Sequence, residues 1–483
     1  MKNLIENAFD INSFRNIAHK LVDDLSDYLI ESINNNSIMK VLPYKQPDET
    51  YNFWEKDYSD SPNLKINEYF SKVIDNSIHL HMPKYLGHQV PPALPIAALS
   101  DFISSFMNNA TGVYEMGSVG ISLEKLIIKI LAKSIGMNDF AEGVLTSGGT
   151  LGNLTALLAL RQAKTNYNIW KEGSKYKTAI LVSEESHYSI DRSVRIMGWG
   201  DEGIIKVPVN KKFKLDSQNL NKAFEENINS GIEIIGVVAN SCSTSLGLFD
   251  PLEELADFCE RKNLWLHVDA AHGGPAVFSE KYKYLVKGIE KADSVIIDFH
   301  KTLMHPSLVT AVIFKDGQQS YETFSQKASY LWDQKEEKDW YNLGKRTFEC
   351  TKNTMSLKVY SIIRTYGLKI FDEIITSLFD LGKQFAEVIK DRKNYELAVE
   401  PESNIICFRF IDKLKSEDEL NLINRYIRKT IIEEGKFFIV QTEVKNKTYL
   451  RTSLMNPFTT INDLIDLLNE IDLIANRFEL NRN

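Results

Sequence analysis

Two short apolar runs in this chain end on charged residues, and that pairing narrows the folds open to it. Leu264-Trp-Leu-His-Val-Asp269 closes on a carboxylate and continues as Ala-Ala-His-Gly-Gly. Ser294-Val-Ile-Ile-Asp-Phe-His-Lys301 closes on His-Lys. Apolar runs of this length suit strands covered on both faces of a mostly parallel sheet. Open α/β sheets bind ligands at the carboxyl ends of their strands, so an acid and an amine delivered there describe a site. Such a pair is what an aldehyde cofactor with a basic ring nitrogen requires.

The rest of the chain supports an α/β reading. Between residues 91 and 366, helical patterns alternate with apolar runs at 179–182, 203–207, 234–239, 265–268, 295–297 and 310–314. That interleaving predicts a large domain built on a mostly parallel sheet with helices on both faces. Residues 1–90 form an N-terminal segment that opens helically, with Phe14, Ile17, Leu21, Leu25 and Tyr28 at three- and four-residue spacings. A stretch rich in Pro, Asp and Asn from Pro43 to Asn63 reads as loop, and His79–Pro92 as a shaped, proline-rich loop. Residues 367–483 change texture to helix, strands at 404–410, 437–440 and 449–452, and a terminal helix, an α+β C-terminal domain.

Composition excludes several classes. At 483 residues, 43% hydrophobic and 25% charged, the chain is long enough for two or three globular domains. A net charge of −8 argues against a nucleic-acid partner, whose footprint is a basic patch. No apolar run approaches the ~20 residues of a membrane span. Four cysteines without a C-x-x-C pair give no disulfide framework or metal knuckle. With an acid-containing N-terminus, they predict a cytoplasmic protein and no metal site.

Five features fall just past strand ends. Ser147-Gly-Gly-Thr150 runs into the apolar helix Asn153-Leu-Thr-Ala-Leu, an anion cradle of free N–H groups in which Gly149 permits close approach and Thr150 offers a hydroxyl. His187, in Glu185-Ser-His-Tyr-Ser189, offers a flat ring to lie over a cofactor. Thr244 follows the apolar run ending at Ala239, and Asp269 and Lys301 follow theirs. A buried carboxylate needs a partner, and a lysine in such a place is the usual Schiff-base amine. His300 is placed for a phosphate contact. Taken singly, each has an ordinary use: a helix cap, a turn-capping acid, a lysine reaching solvent, a surface histidine. Their order and common placement are what single them out.

With His-Val-Asp-Ala-Ala at 267–271, Asp-Phe-His-Lys at 298–301, Ser-Gly-Gly-Thr at 147–150 and Glu-Ser-His-Tyr-Ser at 185–189, the chain resembles a family of pyridoxal-phosphate-dependent amino-acid decarboxylases. That group includes the glutamate, aromatic-L-amino-acid and diaminobutyrate decarboxylases. The resemblance runs from about residue 70 to Pro457. It implies an aspartate-aminotransferase-like (fold type I) large domain with a seven-stranded type of sheet, and a homodimer with active sites at the subunit interface. The cofactor would be pyridoxal 5'-phosphate, held as an aldimine on Lys301. Asp269 would face the ring nitrogen and His187 would stack on the ring. Gly149, Thr150 and His300 would hold the phosphate, with Thr244 and Ala271 lining the cofactor. Tyr85, His88, Gln89 and Glu115 match regions that line the substrate pocket in relatives, and Glu115 would suit a second ammonium.

One departure bears on the product. Relatives carry a tyrosine on a mobile loop that returns a proton to the α-carbon. Here the corresponding stretch is Tyr330-Leu-Trp-Asp-Gln-Lys-Glu-Glu-Lys-Asp-Trp-Tyr341, with Glu337 or Lys338 at the tyrosine's place. Three readings follow: a decarboxylase yielding the amine, an oxygen-consuming aldehyde synthase on the same scaffold, and a non-catalytic cofactor-binding protein.

Overall fold

Strands form where apolar and β-branched residues run unbroken, and in this chain seven such runs join one sheet. The computed structural model describes residues 4–34, 39–59, 65–324 and 339–480. The strands are β1 (Glu142–Thr146), β2 (Thr178–Ser183), β3 (Ile204–Val207), β4 (Glu233–Asn240), β5 (Trp265–Asp269), β6 (Ser294–Asp298) and β7 (Thr310–Phe314). Their spatial order is β1-β7-β6-β5-β4-β2-β3. Neighbours from β3 through β6 pair in parallel, while β7 runs antiparallel to both β6 and β1. Every residue of β2, β5, β6 and β7 is buried. Continuous burial means both faces are covered, which explains why these strands read as solid apolar runs rather than alternating ones.

The expectation of a mostly parallel sheet holds, with one strand added. β1 escaped the sequence reading because its run is short and begins with Glu142 and Gly143. It leads directly into Ser147–Thr150, so the sheet edge itself presents the cradle. The helix Gly149–Lys164 that follows lies against the sheet, packing Leu154, Leu157 and Leu158 into one core with Ile180, Val238, Ile296 and Val312. Burying each such side chain stabilises the fold by about 1.5–3 kcal/mol. Register then aligns the functional ends: Asn240 pairs with Asp269, and Asp269 with Ile296, two residues before Asp298.

The chain divides into two compact units. One comprises residues 89–383 and 399–406 and contains the seven-stranded sheet. The other comprises 1–88, 384–398 and 407–483. It holds the helix Ile11–Asn34, the helices Glu417–Glu434 and Ile461–Leu480, and most of a four-stranded sheet. That sheet has the order β10 (Val440–Val444), β11 (Lys447–Ser453), β9 (Ile405–Phe410), β8 (Tyr395–Leu397). Val41, Met82 and Tyr85 pack there with Ile432, Phe438 and Val440.

Within this unit two local readings need correction. Pro47–Ser59 is a helix, not loop. Proline at the first helical position loses no hydrogen bond, Asp48 and Glu49 favour the positive end of the dipole, and Glu49 accepts the Gln46 N–H at 2.9 Å. The run 437–440 is mostly a lead-in, since the strand starts at Val440 and turns back through Lys445 and Asn446, both at positive φ. Among the described residues no helix is long and apolar enough to cross a membrane.

A buried ion pair anchors the approach to the cradle. Lys352 Nζ lies 2.7 Å from Glu124 Oε1 and 2.5 Å from the Leu145 carbonyl, and Glu124 also accepts the Leu145 N–H at 2.8 Å. Both side chains are almost wholly buried, so both backbone groups of one β1 residue are held by a charged pair. Lys352→Met leaves the Glu124 carboxylate buried and alone, which destabilises by about 3–5 kcal/mol. The double variant Glu124→Gln/Lys352→Met should regain most of that loss. Urea unfolding of wild type, single and double variants checks this; equal losses in single and double variants would count against the pair.

Candidate active site

The carboxyl ends of β4, β5 and β6, with the turn after β1, enclose a cavity of about 350 Å³. All eight residues expected at a cofactor line it: Gly149, Thr150, His187, Thr244, Asp269, Ala271, His300 and Lys301. The cradle forms because Gly148, at φ 111°, turns the chain from β1 into the helix that begins at Gly149. An L side chain adopts that conformation only with strain. A methyl at Gly149 would stand 3.1 Å from both carboxylate oxygens of Asp298, so glycine is what lets the helix start approach β6. The first N–H groups of that helix have no partners within it, which suits them to an anion.

Asp269, at the end of β5, is buried. Its Oδ2 accepts from Asn153 Nδ2 at 2.9 Å and its Oδ1 from the Ala271 N–H at 3.2 Å. Lys301 Nζ lies 3.3 Å from Asp298 Oδ2. Asp298 is itself buried and takes the Thr310 hydroxyl on its other oxygen, while His300 Nε2 stands 3.6 Å from the same carboxylate. His300 Nδ1 sits 2.9 Å from the Val309 carbonyl. His187 caps the helix Tyr188–Ile196 and has its Nδ1 2.8 Å from Ser189 Oγ. Burial holds its imidazole below the usual histidine pKa, with the Asp269 carboxylate opposing and Lys301 assisting.

Gln89 and Glu115 are not among the residues that line this cavity, and Tyr85 and His88 belong to the other compact unit. Tyr85 is buried with its ring stacked on Phe438, centroids 5.2 Å apart, and burial pushes its hydroxyl up to about 12. His88 is exposed and leans on the same Phe438. Gln89 is half-buried, and Glu115 is exposed in the first turn of the helix Tyr114–Ile135. Tyr330, Glu337 and Lys338 lie outside the described residues. Tyr341 packs edge-on against Tyr114, centroids 5.6 Å apart. Sequence reasoning gave no role to Asn153 or Asp298, although both stood inside quoted motifs. An Asn four residues past the Gly-Gly turn, and an acid three residues before the lysine, were the available signals.

Residues 47–411 match the model of the pyridoxal-dependent decarboxylase conserved domain. The chain belongs to that family. Over 405 residues it is 29% identical to the aromatic-L-amino-acid decarboxylase of Bacillus atrophaeus, covering 83% of each chain. It is 28% identical to the human acidic amino acid decarboxylase GADL1, covering 90% of this chain and 86% of the relative. Among solved structures, mouse CSAD in apo form superposes with a TM-score of 0.85 at 25% identity, covering 95% and 99% of the two chains. This family member is therefore a pyridoxal-phosphate-dependent amino-acid decarboxylase with a fold type I architecture. The cavity suits that cofactor in its donor set: an amine, a buried carboxylate, a flat imidazole and a helix start where glycine leaves room beside Asp298.

Two buried histidines set an acid limit on the fold. His267, on β5, and His305 are pushed down to about 4 and about 3 by burial. In the unfolded chain each takes up a proton below about pH 6.5. The unfolded state then holds more protons, so stability falls as pH falls, by about 1.4 kcal/mol per unit per histidine. Asp250, raised to about 6 by burial, acts in the opposite sense between about pH 6 and 4. His305→Gln should flatten the decline of stability between pH 6.5 and 5 by one proton's worth. Urea midpoints across that range test it, and parallel slopes for variant and wild type would refute it.

Proposed function

We propose that this chain converts an L-amino acid to the corresponding amine, with Lys301 as the amine that carries the cofactor. The observation that carries the reading is that Lys301, Asp269 and His187 share one cavity with the Gly148–Thr150 helix start. When bound, pyridoxal phosphate supplies an electron sink for the bond to the departing carboxylate. The remaining work falls to the chain. Asp269, an acceptor held by two donors, would face the ring nitrogen. His187 would lie against the ring, and its burial favours the neutral imidazole. Gly149, Thr150 and His300 would hold the phosphate, and Thr244 and Ala271 would border the ring. Asp298 gives the Lys301 ammonium a counter-ion at 3.3 Å whenever that amine is free.

The same reading makes the active form a homodimer. The helix Pro95–Met107 exposes half or more of Leu99, Phe102, Ile103, Phe106 and Met107, spaced along one helical face. An apolar stripe of that kind favours a protein contact. Three of the four free cysteines are buried, which suits a reducing compartment such as the cytoplasm.

A panel of L-amino acids offered in air to the cofactor-loaded protein tests the proposal, following carbon dioxide, oxygen and product together. The expected result is carbon dioxide and amine in equal amounts with no oxygen uptake. Lys301→Ala should lose both the lysine-dependent absorbance and the carbon dioxide. A second product is favoured by the sequence of residues 330–341, which places Glu337 or Lys338 where relatives carry a tyrosine. In that case one oxygen is consumed per carbon dioxide, and aldehyde, ammonia and hydrogen peroxide appear. A protein that binds the cofactor but releases no carbon dioxide from any amino acid would overturn both.

A further inference from the structure

Behind Asp269 lies a chain of buried hydrogen bonds whose direction is set from the carboxylate end. At one end an ionised carboxylate only accepts, so the Asn153 atom 2.9 Å from Asp269 Oδ2 is the amide nitrogen. The Asn153 oxygen then faces His267 Nε2, also at 2.9 Å, and accepts its hydrogen. At the far end an indole N–H only donates. Trp265 Nε1 donates to Ser294 Oγ at 2.9 Å, and that hydroxyl lies 2.9 Å from His267 Nδ1 with its own hydrogen free to point there. The Asn153 oxygen assigns His267 the tautomer with hydrogen on Nε2, and the Ser294 hydroxyl is compatible with it. Its burial, which pushes the pKa down to about 4, agrees with a neutral ring.

Asn153 has one amide hydrogen left, and it goes to Ser189 Oγ at 2.9 Å. That hydroxyl in turn donates to His187 Nδ1 at 2.8 Å, and the Ser189 main-chain N–H points to the same nitrogen at 3.3 Å. With two donors on Nδ1, the neutral His187 ring carries its hydrogen on Nε2. Asn153, Ser189, His267 and Ser294 are all essentially inaccessible to solvent.

We infer that Asn153 is a positioning residue of this site: one amide orients the Asp269 carboxylate and, through Ser189, fixes the Nε2–H tautomer of His187. The inference rests on the proposed reading, in which Asp269 faces the ring nitrogen and His187 lies on the ring. A hydrogen bond to an ionised carboxylate favours the ionised form. Through that bond Asn153 would favour a carboxylate rather than a carboxylic acid opposite the ring nitrogen, and hence a protonated, electron-withdrawing ring when the cofactor is bound. Because a single side chain serves both groups, losing it alters the carboxylate and the imidazole together.

The test uses full-length protein loaded with cofactor carrying ¹⁵N in its ring, and histidine labelled with ¹⁵N. The His187 signals are assigned by their loss in His187→Gln. In wild type the ring nitrogen should be protonated, with both His187 and His267 carrying hydrogen on Nε2. In Asn153→Ala the ring-nitrogen shift should move toward the unprotonated value, His187 should populate both tautomers, and cofactor affinity should fall at least about tenfold. Thr155→Ala, a buried polar truncation on the same helix whose hydroxyl has no hydrogen-bond partner among the described residues, should leave both signals in place. Wild-type signals in Asn153→Ala, or the same shifts in Thr155→Ala, would overturn the inference. If Asn153→Ala does not fold, the wild-type spectrum still decides, since hydrogen on Nδ1 of either histidine contradicts the chain of donors. A wild type without any Lys301-dependent absorbance would instead refute the proposed function.

Discussion

The carboxylate of Asp269 is buried, and the residues around it are arranged by what that burial demands. An ionised group out of water needs donors close by. Here they come from Asn153, near the start of the cradle helix, and from the Ala271 N–H just past the strand. The first requirement fixes how the helix Gly149–Lys164 sits on the sheet, because the amide must reach the end of β5. That placement brings Gly149 against Asp298. The anion cradle, the acid and the lysine strand are thus mutually dependent.

Charge is balanced locally around the cavity. Lys301 has Asp298, Asp298 has Thr310 as well, and Glu124 has Lys352 one layer behind. Asp298 borders the glycine at the helix start, so a carboxylate forms part of the wall beside its free N–H groups. Lys301 Nζ and His300 Nε2 lie 3.3 and 3.6 Å from that carboxylate. In the proposed function the Lys301 amine is engaged at one moment and free at another, and Asp298 is the counter-ion that stays in place.

Much of this was legible in the chain. Parallel strands buried on both faces leave solid apolar runs, and their ends mark the functional edge, so Asp269, Lys301, His187 and Gly149 stood out by position. β1 did not, because Glu142 and Gly143 break its run. The helix Pro47–Ser59 was hidden by a composition that reads as loop, although Pro47 with two acids behind it is a good helix start. Asn153 and Asp298 were visible as letters but not as roles. A buried amide and a buried acid have no periodicity of their own, and their partners lie 116 and 12 residues away in sequence.

The sequence by itself determined the sheet, the order in which its strand ends deliver chemistry, and the family to which these motifs belong. Those follow from local physics: apolar runs, glycine at a turn no other residue makes easily, and polar residues placed where a run stops. Only the tertiary structure decided which polar groups share hydrogens. It made Asn153 the link between Asp269 and Ser189, paired Lys301 with Asp298, and seated Tyr85 on Phe438. Hydrogen-bond partnership depends on distances of about 3 Å between segments far apart along the chain, and such distances exist only after the sheet has set its register.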